Sequence, residues 1–222
     1  MASSPTLPQR LNGVGYNNVD NTKGDTSFLF GISFNTIGAN GMIPFSALSS
    51  PEGLEDEDAI QVAYTDERGL TKMHDFVYFG EWYNEDMDPV NDDDGIPLGG
   101  SAWFISSGSP KTITTSGEVR KGNYIHTFTE PSALISSAFP QKFCPNSANV
   151  SWGVSDETSI QTAYTDERGL TKMHDYVYFG EWYNEDMDPL AADDAIVNAG
   201  TGFWIILVDP SETFTEVSPL AE

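Results

Sequence analysis

Residues 60–89 read IQVAYTDERGLTKMHDFVYFGEWYNEDMDP, and residues 160–189 read IQTAYTDERGLTKMHDYVYFGEWYNEDMDP. Only Val62/Thr162 and Phe76/Tyr176 differ. A repeat at a fixed offset of 100 residues constrains this chain more than any other feature, because both copies must adopt the same local structure. Outside the block the likeness is fainter. Residues 101–105 match 201–205, 117–119 answer 215–217, and 27–32 match 132–137. The chain therefore reads as a duplicated domain of about 100 residues. Residues 12–119 form the first repeat and 120–217 the second, with a flexible arm at 1–11 and a tail at 218–222. Recent copying of the central block, or one surface shared by both halves, would each leave flanks that drifted around an unchanged centre.

The elements read as strands. Asp66-Glu67-Arg68-Gly69 has the chemistry of a hairpin turn, since Asp bonds its own backbone and Gly supplies a positive φ. Residues 75–83 are aromatic and β-branched, as expected of one strand packed on both faces. Residues 101–106 and 202–208 are short apolar runs bounded by Gly, Ser and Pro, and 111–115 alternate like a half-exposed strand. Twenty Gly and thirteen Pro leave room only for single helical turns, for which 46–48 and 58–60 are the candidates. The expected fold class is all-β, as two tandem homologous β-sandwich or barrel-like domains with little helix.

Charge narrows the partners. Asp and Glu number 34 against 10 Lys and Arg, a net charge of −24. Such a surface repels nucleic acid and anionic membranes and attracts cations. No apolar run is long enough to span a bilayer, and residues 1–10 lack the apolar stretch of a signal peptide. The single cysteine, Cys144, excludes a disulfide within the chain and has no activating base near it in sequence.

The strongest candidate site is the acidic loop after the aromatic strand. In the first copy Asp86, Asp88, Asp92 and Asp94 fall within it; in the second, Asp186, Asp188 and Asp193. Calcium takes six to eight oxygen ligands, and alternating Asp in a bent loop would supply them. The loop lacks the spacing of an EF-hand, and a simply solvated loop has the same composition. Tyr78, Trp82 and Tyr83, with Tyr178, Trp182 and Tyr183, raise a glycan-stacking reading against the plainer one of core aromatics. His74-Asp75 is no catalytic relay, because neighbours on a strand face opposite ways. No phosphate loop, nucleophile elbow or zinc spacing is present, so an enzyme is not expected.

An aromatic strand, an acidic loop and a Gly-Xaa-Ala-Trp-Phe-Ile strand recur at 77–88 with 100–105 and at 177–188 with 201–206. This pattern is similar to duplicated β domains of uncharacterised bacterial surface or secreted proteins. The resemblance spans about half of the chain and transfers no functional residue. It implies a surface, fibre or particle component. The functional expectation is a non-catalytic structural protein, extracellular or on the cell surface, that assembles with itself into a filament, lattice or particle, bridged by Ca²⁺. Arg68-Lys72 and Arg168-Lys172 would meet acidic loops of neighbours. The alternative is a carbohydrate-binding or adhesion module with two similar sites.

Overall fold

The structure, a computed structural model, describes residues 14–20, 27–33, 42–91, 94–168 and 170–219. The expected arm at 1–11, Asp92 and residues 220–222 lie outside the described residues. The chain is all-β, with no α-helix among the described residues. In the first half the strands are β1 (Val14–Asp20), β2 (Ser27–Gly31), β3 (Met42–Pro44), β4 (Ala59–Thr65), β5 (Thr71–Tyr78), β6 (Trp82–Tyr83), β7 (Gly95–Pro97), β8 (Ser101–Ile105) and β9 (Thr112–Glu118). In the second they are β10 (Tyr124–Thr127), β11 (Ser132–Ser136), β12 (Val150–Gly153), β13 (Ser159–Thr165), β14 (Thr171–Tyr178), β15 (Trp182–Tyr183), β16 (Gly202–Ile206) and β17 (Thr213–Glu216).

Each half builds a five-stranded antiparallel sheet of the same order, β2-β8-β4-β5-β6 and β11-β16-β13-β14-β15. Smaller sheets accompany them: β1-β9 and β3-β7 in the first half, β10-β17-β12 in the second. The β4–β5 turn follows the sequence chemistry. Asp66 Oδ1 accepts the Arg68 and Leu70 amides at 2.9 and 3.0 Å, and Gly69 takes φ +75°. Asp166 repeats the arrangement at 2.8 and 2.9 Å. The aromatic run expected as one strand is divided in two. Gly80 and Gly180 adopt φ near +80° and +78°, and the Phe79 amide bonds the Glu81 carbonyl at 2.9 Å, so the chain turns between β5 and β6. The turn expected at 46–48 exists as one 3₁₀ turn, Phe45–Ala47. The one expected at 58–60 does not, because Asp58 is a buried anchor and β4 begins at Ala59.

Register corrects the alignment of the two halves. Ile60 faces Phe104 across β4–β8, while Ile160 faces Ile205 across β13–β16. Trp103 and Trp204 therefore correspond, opposite Gln61 and Gln161, one residue out from the offset of the central block. The extra residue enters between Asp194 and Val197. Asp94 and Asp194 still cap their loops alike, through the Asn91 and Ala191 amides, but Ile96 pairs with Ile43 and Val197 with Phe143.

Each half has its own core. The first gathers Phe30, Ile43, Phe45, Ile60, Trp82, Ile96, Phe104 and Ile113; the second gathers Phe143, Ile160, Trp182, Phe203, Ile205 and Phe214. The halves meet through reciprocal bonds. The Gly31 amide donates to the Gly200 carbonyl at 2.7 Å, and the Ser136 amide donates to the Gly99 carbonyl at 2.8 Å. Gly31 ends β2 as Ser136 ends β11, and Gly99 precedes β8 as Gly200 precedes β16, so the seam has a local pseudo-two-fold relation.

Candidate functional site

The acidic loops are organised by their own backbone. Asn84 Oδ1 accepts the amides of Asp86 and Asp88 at 3.0 and 2.9 Å, and Asn184 does the same for Asp186 and Asp188. Met87 and Met187 complete the turns at φ +61° and +62°. The carboxylates of Asp86, Asp88, Asp186, Asp188 and Asp193 belong to exposed residues. Asp94 is also exposed, and its carboxylate is committed to the Asn91 amide at 3.1 Å. Among the described residues, no three His, Cys, Asp or Glu side chains converge as a metal ion requires.

Beside each loop a stack of three side chains recurs. Tyr64 lies over His74 with ring centroids 3.8 Å apart, and His74 Nδ1 is 3.3 Å from Glu85 Oε1. In the second copy Tyr164 lies over His174 at 4.0 Å, and Nδ1 is 2.8 Å from Glu185 Oε1. The Asp75 amide also donates to Glu85, at 3.0 Å, and this bond, with His74 second, holds the carboxyl below the ordinary Glu range. For Glu185 the histidine bond is the larger cause and the Asp175 amide the second. His74, Phe76, Asn84, Glu85 and Asp86 border a shallow hollow of about 310 Å³. It is open to water. Asp75 faces away from its neighbour histidine and accepts from Gln61 Nε2 at 2.8 Å, as strand alternation requires.

The tryptophans of the glycan reading are buried. Trp82 is 6% exposed and Trp182 fully enclosed, each against the ring of the preceding tyrosine, Tyr78 or Tyr178, at 5.4 Å. They fill the cores, and Tyr78 and Trp82 also border a hollow of about 340 Å³ with Leu48, Leu54 and Val90. Tyr83 and Tyr183 donate to Glu81 and Glu181, and these carboxylates push the phenols up.

Sequence reasoning missed a buried network near the seam. Glu216, 1% exposed, accepts His126 Nε2 at 2.6 Å and the Ala138 amide at 2.9 Å on Oε1. Its Oε2 accepts the Ser137 hydroxyl at 2.6 Å, and the Ser137 carbonyl accepts Ser33 Oγ at 2.8 Å from the first half. His126 stacks on Phe214 at 4.0 Å, and its Cε1 lies where a side chain at Gly99 would project. Ser137 donates to the carboxylate and not to the imidazole, so the three groups form a structural network and not a nucleophile–base relay. The missed signal was parity: Glu216 lies two residues from Phe214 on β17 and so shares its inward face.

Burial pushes the Cys144 thiol up, which disfavours the reactive thiolate. No helix of the described residues is long and apolar enough to cross a membrane. Comparison with protein-family models, curated proteins and solved structures finds no match.

Proposed function

We propose that the chain is a non-catalytic structural protein that assembles with itself, at a cell surface or outside the cell, into a filament, lattice or particle. One observation carries this reading. Large apolar side chains stand exposed at equivalent places in both halves: Leu70 and Leu170 at 56% and 52%, Phe79 and Phe179 at 40% and 41%, Met87 and Met187 at 57% and 54%. Both copies keep the same exposed apolar groups within the block of near identity, so any face that they contribute to is presented twice on one molecule. Two like surfaces on one molecule permit contacts that propagate.

The charge of −24 opposes close packing of many copies, which gives the acidic loops a role as shared Ca²⁺ ligands between molecules. The carbohydrate-binding alternative is less well supported, since Trp82 and Trp182 lie in the cores. The test is light-scattering mass of the purified chain in millimolar Ca²⁺ and in EDTA. Assemblies that shrink in EDTA support a cation-bridged structural protein. A monomer in both buffers ends the self-assembly reading and moves glycan binding to first place.

A further inference from the structure

Lys111 is an unusual buried cation. Its side chain is fully enclosed, yet Nζ makes no hydrogen bond. Glu55 Oε2 lies 3.2 Å away without hydrogen-bonding geometry, and Asp58 Oδ2 lies 3.8 Å away. An ammonium enclosed without hydrogen bonds is costly. Asp58 is enclosed as well, and its two oxygens have different surroundings. Oδ1 accepts the Ser107 amide at 3.0 Å and the Ser107 hydroxyl at 3.2 Å. Oδ2 accepts the Glu55 amide at 2.8 Å and faces the lysine.

The same corner of the second half is built differently. Thr158 stands for Asp58, each with its carbonyl bonded to the tyrosine amide that ends the facing strand. Glu212 stands for Lys111, accepting the Ser155 amide at 2.7 Å and Thr158 Oγ1 at 3.1 Å. A carboxylate with two donors is enough to close this corner, so the fold does not require a lysine there.

We propose that Lys111 and Asp58 condense into an amide that ties the start of β9 to the start of β4. The nitrogen–carbon bond forms between Nζ and Cγ of Asp58, and the Cγ–Oδ2 bond breaks. The ammonium and the carboxylate together supply every atom of one amide and one water. Two protons leave Nζ and depart with Oδ2. Glu55, at 3.2 Å from Nζ and 53% exposed, takes the first proton and passes it to the leaving oxygen. The two Ser107 donors on Oδ1 stabilise the negative charge that this oxygen gains in the tetrahedral stage. Burial holds amine and carboxyl side by side, so the reaction needs no second molecule. The cross-link is independent of self-assembly.

The experiment is the intact mass of the whole chain under denaturing conditions, which dissolve an ion pair but not an amide. The expected mass is that of the sequence less one water, with a proteolytic fragment that joins the Lys111 and Asp58 peptides. The full sequence mass overturns the proposal and leaves a buried ion pair only. Lys111→Met is expected at its own full mass; loss of water that persists in it places the dehydration elsewhere and also overturns the proposal. In freshly made Glu55→Gln, uncondensed chain is expected to accumulate where the wild type is condensed. Equal condensation in the two removes Glu55 from the step.

Discussion

Gly31 and Ser136 hold corresponding places in the two halves and lie against each other, so closely that a Cβ on Gly31 would overlap the Ser136 side chain. Gly202 and Ser101 repeat the relation with the roles of the halves exchanged. Each pair across the seam thus combines one residue without a side chain and one with a small one. Two serines would collide there, and two glycines would leave a gap.

Gly31→Ser is therefore expected to destabilise the chain by about 1–3 kcal/mol, the usual cost of overpacking. The exchanged double variant, Gly31→Ser with Ser136→Gly, is expected to recover most of that loss. Denaturant unfolding of the two singles and the double measures the coupling directly.

Glu216→Ala leaves His126, the Ser137 hydroxyl and the Ala138 amide without their acceptor. A loss of about 3–5 kcal/mol is expected, as for other buried pairs deprived of one member. Equilibrium unfolding checks it, and a loss below about 1 kcal/mol would mean that water replaces the carboxylate.

The folded state holds Glu85 and Glu185 below the ordinary value of 4.5. A carboxyl depressed on folding stabilises the protein fully above its unfolded value, and that contribution disappears as pH falls through the folded one. Melting temperature should therefore fall on acidification below the ordinary Glu range. In the Glu85→Gln/Glu185→Gln variant this acid slope should be shallower, with little change near neutrality relative to the variant's own plateau. Thermal melts across acidic pH values read the difference.

Trp182→Ala is expected to cost about 3–5 kcal/mol by opening a cavity in the second core. A glycan-binding assay on this variant would report unfolding before recognition. Near-ultraviolet circular dichroism should lose its aromatic signal together with stability.

Where a side chain's role is local, the sequence announced it. Asp66 and Gly69 define the hairpin by their own chemistry, and the all-β class follows from the density of Gly, Pro and β-branched residues. Asn84 was less legible: its side chain orders the acidic loop by accepting the amides of Asp86 and Asp88, a role that the acidity of the loop does not announce. Ile125 and His126 run against their polarity: Ile125 is 59% exposed and His126 is enclosed. Glu216, 90 positions away, supplies the acceptor for the inward histidine, and Phe214 stacks on its ring. Lys111 is a similar case, since alternation places it on the face of buried Ile113, while its acidic neighbours come from the segment before β4. Long-range pairing of this kind leaves no trace in a local pattern.

The reciprocal bonds between Gly31 and Gly200 and between Ser136 and Gly99 also bear on how the chain is made. On the ribosome, β2 emerges long before the carbonyl that its last amide will meet. Until residue 200 appears, the last amide of β2, itself an edge strand, lacks this acceptor. The seam therefore closes only after nearly the whole chain has been made, and the first half completes its fold late.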